Sequence, residues 1–222
     1  MQFFLDTASL PDITWAAQAG LIDGVTTNPS LLAKQAGDLD APDLLKQICA
    51  VVAGPVSAEV LAVDVDGMVR EGTELAKIAD HIVVKIPMSE EGMVAVRRLT
   101  AAGIKTNVTL CFSSVQCLIA AKAGASFVSP FIGRLDDVGQ DGMDVIRETR
   151  QIFDNFAIET QILTASIRHP RHVAEAAMIG ADVATMPPEV LRKLLRHPLT
   201  DRGLDQFLSD WAKAGQRPRA DA

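Results

Sequence analysis

The sequence predicts an α/β protein folded as a single (β/α)8 barrel (a TIM barrel), with an extra amphipathic helix at its C-terminal end. Short apolar, β-branched runs recur about every 20 to 30 residues. Segments with apolar residues at helical spacing separate these runs, and several of the segments end in glycine. Strict alternation of strand and helix implies a parallel sheet covered by helices, and eight units match a closed barrel better than an open, doubly wound sheet.

The eight apolar runs are the predicted strands. In chain order they cover residues 3–6, 24–28, 56–61, 82–87, 106–111, 127–132, 160–166 and 182–186. Left-handed helix ends are predicted at Gly20, Gly103, Gly124 and Gly180. Helix N-caps are predicted at Ser9, Ser89 and Ser113. The doubly wound alternative is weakened because no GxGxxG motif follows the first strand and no Walker-type glycine loop occurs.

A final segment lies beyond the eight units. Its apolar residues follow the spacing i, i+3, i+4 and i+7, at Leu204, Phe207, Leu208 and Trp211. We predict an amphipathic helix whose apolar face covers either its own barrel or a neighbouring subunit, so a homo-oligomer is a reasonable hypothesis. Because no linker-like stretch interrupts the chain, one domain is predicted over residues 1–214, followed by a flexible tail at 215–222.

Composition restricts the class of partner and the compartment. The 222 residues are 48% hydrophobic and carry 21 basic against 28 acidic side chains, so a net charge of −7 argues against a general nucleic-acid or anionic-membrane binder. The odd set Cys49, Cys111 and Cys117 has no CxxC pair, which indicates buried free thiols. The N-terminal run meets Asp6 too early for a signal peptide, and no stretch is apolar enough to span a membrane. We expect a soluble cytoplasmic protein.

Polar side chains share the interior-facing parity of the predicted strands and concentrate at their C-terminal ends. They are Asp6, Asn28, Glu59, Lys85, Asn107, Thr109, Ser129 and Ser166. Each would cost about 1–3 kcal/mol if it were buried without a partner. Because active sites of (β/α)8 barrels lie at that end, the pattern predicts a catalytic pocket.

Lys85 is the strongest candidate for covalent chemistry. A desolvated lysine near Glu59 or Asp6 can lose its proton, and its amine then attacks a carbonyl to form a Schiff base. The alternatives are a snorkelling or salt-bridged Lys85 and purely structural ion partners in Glu59 and Asp6.

Two loop arginines predict an anion site. Arg134 follows the sixth strand, and Arg168 lies two residues after Ser166 in the seventh. Guanidinium groups match phosphate oxygens, so the two arginines and the serine hydroxyl form a plausible phosphate clamp, although loop arginines are often only solvated charge. His169 and His172 lack a nearby third ligand, so we predict no metal there and no cofactor for the activity.

Taken together, these residues resemble the small transaldolase family, which includes fructose-6-phosphate aldolase-like members. The similarity extends from Phe4 to about Trp211. It is carried by residues 4–7 (FLDT), 24–30 (GVTTNPS), 83–87 (VVKIP), 103–109 (GIKTNVT), 128–134 (VSPFIGR) and 165–168 (ASIR).

The resemblance implies transfer of a dihydroxyacetone unit between ketose and aldose phosphates, as in the non-oxidative pentose phosphate pathway. It implies a Schiff base on Lys85, with Asp6 as acid and base at the C3–C4 bond. Glu59 and Thr109 would hold the water that relays protons. Asn28 and Asn107 would bind substrate hydroxyls, and Ser129 would bind the dihydroxyacetone end. Arg134, Ser166 and Arg168 would bind the phosphate. Phe131 is a further substrate-binding candidate.

Two positions favour a transaldolase over an aldolase that releases free dihydroxyacetone. The aldolase-like members carry Gln and Tyr where this chain has Glu59 and Phe131, and this chain has no tyrosine. Three alternatives stay open: such an aldolase, a non-catalytic sugar-phosphate-binding barrel, and a metal-dependent class II aldolase, against which the lack of a barrel histidine cluster argues. The resemblance also implies a decamer, with the last helix packed on a neighbour.

Overall fold

A computed structural model describes residues 1–35 and 40–215. Eight parallel strands close into a barrel in sequence order, so the predicted (β/α)8 fold is confirmed. The strands are β1 (Gln2–Asp6), β2 (Gly24–Thr26), β3 (Val56–Glu59), β4 (Ile82–Pro87), β5 (Thr106–Cys111), β6 (Phe127–Pro130), β7 (Gln161–Thr164) and β8 (Val183–Met186).

Helices alternate with the strands and surround the barrel. They are α1 (Leu10–Gln18), α2 (Pro29–Gln35), α3 (Ala41–Val51), α4 (Val65–Ala76), α5 (Glu90–Ala101), α6 (Ser114–Ala123), α7 (Ile132–Asp137), α8 (Gly142–Asn155), α9 (Pro170–Ile179), α10 (Pro188–Leu194) and α11 (Pro198–Gly215). Four strands, β2, β3, β6 and β7, end two residues before their predicted limits. At β6 the cause is visible, because Phe131 forms only an isolated bridge with Ala165 and the chain then enters α7.

Local capping explains where several helices begin and end. The four predicted left-handed glycines all have positive φ, between 65° at Gly20 and 100° at Gly124. Ser89 and Ser113 accept backbone N–H hydrogen bonds from the third residue of their helices. Ser9 occupies the predicted N-cap position of α1, but its hydroxyl makes no capping hydrogen bond.

The barrel interior has an apolar floor beneath its polar end. Its buried side chains are Phe4, Val83, Phe127, Leu163, Ala165 and Val183. The rings of Phe4 and Phe127 lie 6.3 Å apart between centroids. Gly24 is required here, because a Cβ at that position would lie 2.7 Å from the Phe4 ring and 2.6 Å from the Pro55 carbonyl oxygen. These apolar side chains fill the barrel interior next to the polar residues.

The last helix, α11, does not bury its apolar face against its own barrel. Leu204, Phe207, Leu208 and Trp211 are between 56% and 80% exposed in the single chain. Of the predicted tail, Gly215 belongs to α11, and residues 216–222 lie outside the described part of the structure. Among the described residues, no helix has the length and hydropathy to cross a membrane.

Candidate active site

A cavity of about 220 Å³ opens at the C-terminal ends of the strands. Eight predicted site residues line it: Asp6, Asn28, Lys85, Ser129, Phe131, Arg134, Ser166 and Arg168. The other lining residues are Thr26, Leu163, Ala165 and Thr185, which were not singled out from the sequence. A larger, mostly apolar groove of about 680 Å³ involves α2, α3 and α4 and reaches Glu59, but it lacks the other polar barrel residues. The smaller cavity is therefore the candidate active site, because it contains the ionisable and hydrogen-bonding side chains.

Lys85 is buried at 5% exposure in the middle of this cavity. Its Nζ lies 3.1 Å from Glu59 Oε2 and donates a hydrogen bond to the Thr27 carbonyl oxygen at 3.2 Å. Parallel pairing of β3 with β4 places Glu59 directly beside Lys85. Lys85 therefore does not extend to solvent, and of the two alternatives to a catalytic role for this lysine, the ion pair with Glu59 is the one present. A carboxylate at this distance can accept a proton from the amine, which a nucleophilic lysine requires.

Asp6 ends β1 and contacts a chain of hydroxyl groups. The Thr26 hydroxyl donates to Asp6 Oδ1 at 2.7 Å and lies 2.6 Å from the Thr185 hydroxyl. Because Thr26 has one hydroxyl proton, Thr185 must donate to Thr26 in this arrangement. Burial raises the pKa of Asp6, and the positive charge of Lys85 and the Thr26 hydrogen bond only partly oppose that effect. A carboxyl group with a raised pKa is a stronger proton acceptor when ionised, and it can return that proton later in the reaction.

Asn107 and Ser129 form a second buried network. The Asn107 side chain donates to Ser57 Oγ at 3.2 Å and accepts from Ser129 Oγ at 2.7 Å. Asn107 is fully buried, and its amide oxygen orients the Ser129 hydroxyl. Its second amide N–H is not used in these two hydrogen bonds. Ser57, which the sequence analysis missed, shares the interior parity of Glu59 on β3, and that parity was the available signal.

Thr109 lies two residues beyond Asn107 on β5 and is 1% exposed. Its hydroxyl has no hydrogen-bond partner among the described residues. Four other described side chains also have a buried polar atom without a partner, so this feature does not by itself mark the site. Thr109 does not line the cavity, and its hydroxyl is available to a water or a ligand.

The arginine end of the cavity combines α7 with the loop after β7. The Arg134 guanidinium carbon lies 5.0 Å from the centroid of the Phe131 ring, which orients it by a cation–π contact. Arg168 Nη2 lies 2.6 Å from Asp137 Oδ2. Ser166 has a φ of +60°, and its carbonyl accepts the Gly133 N–H at 3.2 Å. The structure therefore brings the three predicted phosphate-binding side chains to one cavity.

Two histidines lie at the start of α9, which follows the loop that carries Arg168. The rings of His169 and His172 are 3.7 Å apart between centroids, and His172 Nε2 lies 3.2 Å from Asp136 Oδ2. Within residues 1–35 and 40–215, no group of three or more His, Cys, Asp or Glu side chains is placed to hold a metal ion.

Comparison with known proteins agrees with this geometry. A family model described as Transaldolase/Fructose-6-phosphate aldolase matches residues 3–217. A relative from Desulforapulum autotrophicum is 57% identical over 96% of this chain and 98% of its own length. A relative from Rhizobium meliloti is 58% identical over 98% of this chain and 99% of its own length. A relative from Methanococcus maripaludis is 59% identical over 95% of this chain and 97% of its own length. Each of the three carries the name "Probable transaldolase".

Proposed function

This chain belongs to the transaldolase/fructose-6-phosphate aldolase family, and from that premise we propose that it is a transaldolase with a Schiff base on Lys85. The reaction converts sedoheptulose 7-phosphate and glyceraldehyde 3-phosphate into erythrose 4-phosphate and fructose 6-phosphate, a step of the pentose phosphate pathway. The observation that carries the proposal is a buried lysine, 3.1 Å from a carboxylate, in a cavity that two arginines also line.

Formation of the Schiff base requires a neutral amine and a proton relay. Glu59 accepts a proton from Lys85, and the Nζ lone pair attacks the C2 carbonyl carbon of the ketose phosphate. The carbinolamine oxygen then takes up a proton and leaves as water, which gives the iminium ion. The unpartnered hydroxyl of Thr109 supports its expected role in holding that water together with Glu59.

Asp6 provides the acid and base for the carbon–carbon bond. Its carboxylate takes the proton of the C4 hydroxyl while the C3–C4 bond breaks, and the bonding electrons move into the iminium to form an enamine. The first aldose phosphate leaves. When the acceptor aldose binds, the enamine C3 attacks its aldehyde carbon and Asp6 returns the proton to the new C4 oxygen. Water then hydrolyses the iminium and releases the new ketose.

The remaining cavity residues support binding of a linear sugar phosphate. Asn28 Oδ1 accepts the Leu31 N–H at 2.9 Å, which directs the Asn28 amide N–H groups elsewhere and leaves them for substrate hydroxyls. Ser129, held by Asn107, would bind the dihydroxyacetone end. Arg134 and Arg168, with the Ser166 hydroxyl, would bind the phosphate at the opposite end.

A fructose-6-phosphate aldolase is the second candidate, because the family name includes that activity. It would release dihydroxyacetone without an acceptor. We favour the transferase, because a carboxylate at Glu59 and an apolar ring at Phe131 leave no phenol to promote hydrolysis of the intermediate. The Phe131 ring instead packs edge-on against Phe112, with centroids 6.0 Å apart. Product assays with and without erythrose 4-phosphate distinguish the two activities.

Borohydride reduction tests the covalent intermediate. Treatment with fructose 6-phosphate and borohydride should attach a reduced sugar fragment to the peptide that contains Lys85, as measured by mass spectrometry. Lys85→Ala should abolish both the adduct and turnover, whereas Lys105→Ala, an exposed lysine before β5, should retain both. An unmodified Lys85 peptide, or full turnover by Lys85→Ala, would show that the proposed chemistry is wrong. Either result would favour a non-catalytic sugar-phosphate-binding barrel or a different reaction.

We further propose a homo-oligomer, and by family resemblance a decamer, in which the exposed apolar face of α11 packs on another subunit. Light scattering should give a mass well above 23.7 kDa, and Trp211→Glu should reduce it. The acidic charge and three free thiols are consistent with the expected cytoplasmic location.

A further inference from the structure

The loop that carries Arg168 is held on one side by α7. The backbone N–H of Ile132 donates to the Ala165 carbonyl at 3.1 Å, and the N–H of Gly133 donates to Ser166 at 3.2 Å. A Cβ on Gly133 would lie 2.2 Å from the Ser166 carbonyl oxygen, so the two segments touch without intervening atoms. Because Ser166 has a left-handed backbone, this loop needs such contacts to keep its shape.

On its other side, the same loop contacts His172 of α9. The imidazole is 7% exposed, and its Nδ1 accepts the backbone N–H of Arg168 in a long hydrogen bond of 3.4 Å. Its Nε2 lies 3.2 Å from Asp136 Oδ2 on α7. Because Nδ1 is the acceptor, the ring proton of a neutral His172 is on Nε2 and is donated to Asp136. His172 therefore connects the arginine loop to the helix that carries Arg134.

The surroundings of His172 favour this neutral form. Burial lowers its pKa, and the adjacent charges of His169 and Arg168 act in the same direction. The carboxylates of Asp136 and Glu175 oppose the shift without reversing it. A protonated ring would lose its acceptor at Nδ1, so the lowered pKa preserves the bond to the Arg168 backbone at neutral pH.

A second carboxylate of α7 holds the side chain of Arg168. Asp137 Oδ2 lies 2.6 Å from Arg168 Nη2, one residue after the carboxylate that binds His172. One short helix thus presents Arg134 and restrains both the backbone and the guanidinium of Arg168. The Schiff-base chemistry at Lys85 does not use His172. Its buried contacts with the Arg168 backbone and with Asp136 therefore need another explanation.

We propose that His172 is a positioning residue for substrate phosphate: its contacts with Asp136 and the Arg168 backbone set the spacing of Arg168 from Arg134. The inference rests on the proposed function, because it takes the two arginines as phosphate ligands. It adds a residue that touches neither the substrate nor the reacting atoms. Its loss should weaken binding of the phosphorylated end and leave the chemistry at Lys85 unchanged.

The test compares phosphorylated and unphosphorylated acceptors in three full-length variants. His172→Leu removes both hydrogen bonds, His172→Asn retains an acceptor near the position of Nδ1, and His81→Leu makes the same change in a histidine preceding β4. Steady-state kcat and KM are measured with erythrose 4-phosphate and with glyceraldehyde, and inorganic phosphate is used as an inhibitor. His172→Leu should raise the KM for erythrose 4-phosphate and the phosphate inhibition constant about three- to tenfold, with kcat unchanged.

The controls separate positioning from general damage. His172→Asn should return both constants to within about twofold of the parent protein, a small difference on the energy scale of one hydrogen bond, and His81→Leu should match the parent. Asp136 Oδ1 also accepts the Gly142 N–H at 2.9 Å. If His172→Leu does not fold, Asp136→Asn, which can keep that oxygen but replaces the acceptor of His172 Nε2, should still raise the same two constants.

Equal effects on both acceptors, a loss confined to kcat, or no effect would overturn the inference. If the parent protein forms the Lys85 adduct but neither prefers phosphorylated acceptors nor is inhibited by phosphate, the phosphate site itself is wrong, and the inference with it. If it forms no adduct, the proposed function fails first.

Discussion

Removing the hydroxyl of Thr26 should move the acidic limb of the pH–rate profile to higher pH. Thr26 is 2% exposed and donates to Asp6 Oδ1 at 2.7 Å, a bond that opposes the increase in the pKa of Asp6 caused by burial. A hydrogen bond to a charged group contributes about 1.5–3 kcal/mol. Since about 1.4 kcal/mol corresponds to one pKa unit, Thr26→Val should raise the pKa of Asp6 further, by about 1–2 units.

The assay measures kcat/KM against pH for the parent protein and Thr26→Val. Asp6 must be ionised to accept the C4 hydroxyl proton, so activity falls as pH drops through its pKa, and the fall should begin about 1–2 pH units higher in the variant. Substrate phosphate itself titrates near about pH 6, but Thr26→Val does not alter that titration, so the difference between the two profiles reports Asp6.

Two threonine variants provide controls. Thr185→Val removes the donor to Thr26 and should move the limb in the same direction by a smaller amount, because Thr185 acts on Asp6 only through Thr26. Thr73→Val, whose hydroxyl donates to the Val69 carbonyl within α4, should leave the limb in place.

Stability supplies a second, independent readout. Burial raises the folded pKa of Asp6 above its usual value, so the folded state binds this proton more tightly than the unfolded state. The ionised group therefore reduces stability as pH rises through the folded pKa. Thr26→Val should increase that loss near neutral pH, and the deficit in unfolding free energy should shrink below about pH 4. An acidic limb that stays in place would refute the assignment of Asp6 as the required base.

Three further variants test other parts of the site and fold. Glu59→Gln removes the carboxylate 3.1 Å from Lys85 and should lower kcat, and the rate of borohydride-trapped adduct formation, about 10²- to 10³-fold. Phe131→Tyr introduces a phenol into the cavity and should increase dihydroxyacetone release without an acceptor, measured by a coupled reductase assay. Gly24→Ala places a Cβ against Phe4 and should lower the free energy of unfolding in urea by about 1–3 kcal/mol.

Each of these variants has a matched control outside the cavity. The controls make the same chemical changes elsewhere: Glu74→Gln in α4, Phe156→Tyr after α8 and Gly203→Ala in α11. A Cβ at Gly203 meets no atom within 4 Å. A control that matched its test variant would show that the effect does not come from the site. Parental values for Glu59→Gln or Phe131→Tyr would contradict their assigned roles, and an unchanged unfolding midpoint for Gly24→Ala would contradict the tight contact.

The sequence alone was sufficient for the architecture, because secondary structure in a (β/α)8 barrel follows local patterns. Apolar runs of strand length, helical spacing between them and glycines at helix ends are all properties of neighbouring residues, and they located all eight strands. Alternation along each strand also placed Lys85, Glu59 and Asn107 on the interior face. Strand ends were less accurate, since Phe131 and Ser166 leave their strands through turns that depend on contacts between loops.

The contacts between interior groups depend on how the strands and helices pack in three dimensions. Thr26, Thr185 and Ser57 have no distinctive position along the chain. Closure of the barrel pairs β8 with β1, and across the interior the Thr185 hydroxyl meets Thr26, whose hydroxyl in turn binds Asp6. Ser57 on β3 likewise meets Asn107 on β5. The contact of His172 with the Arg168 loop likewise depends on how α7 and α9 pack. Hydrogen bonds act over about 3 Å, so they depend on distances that residue spacing does not define.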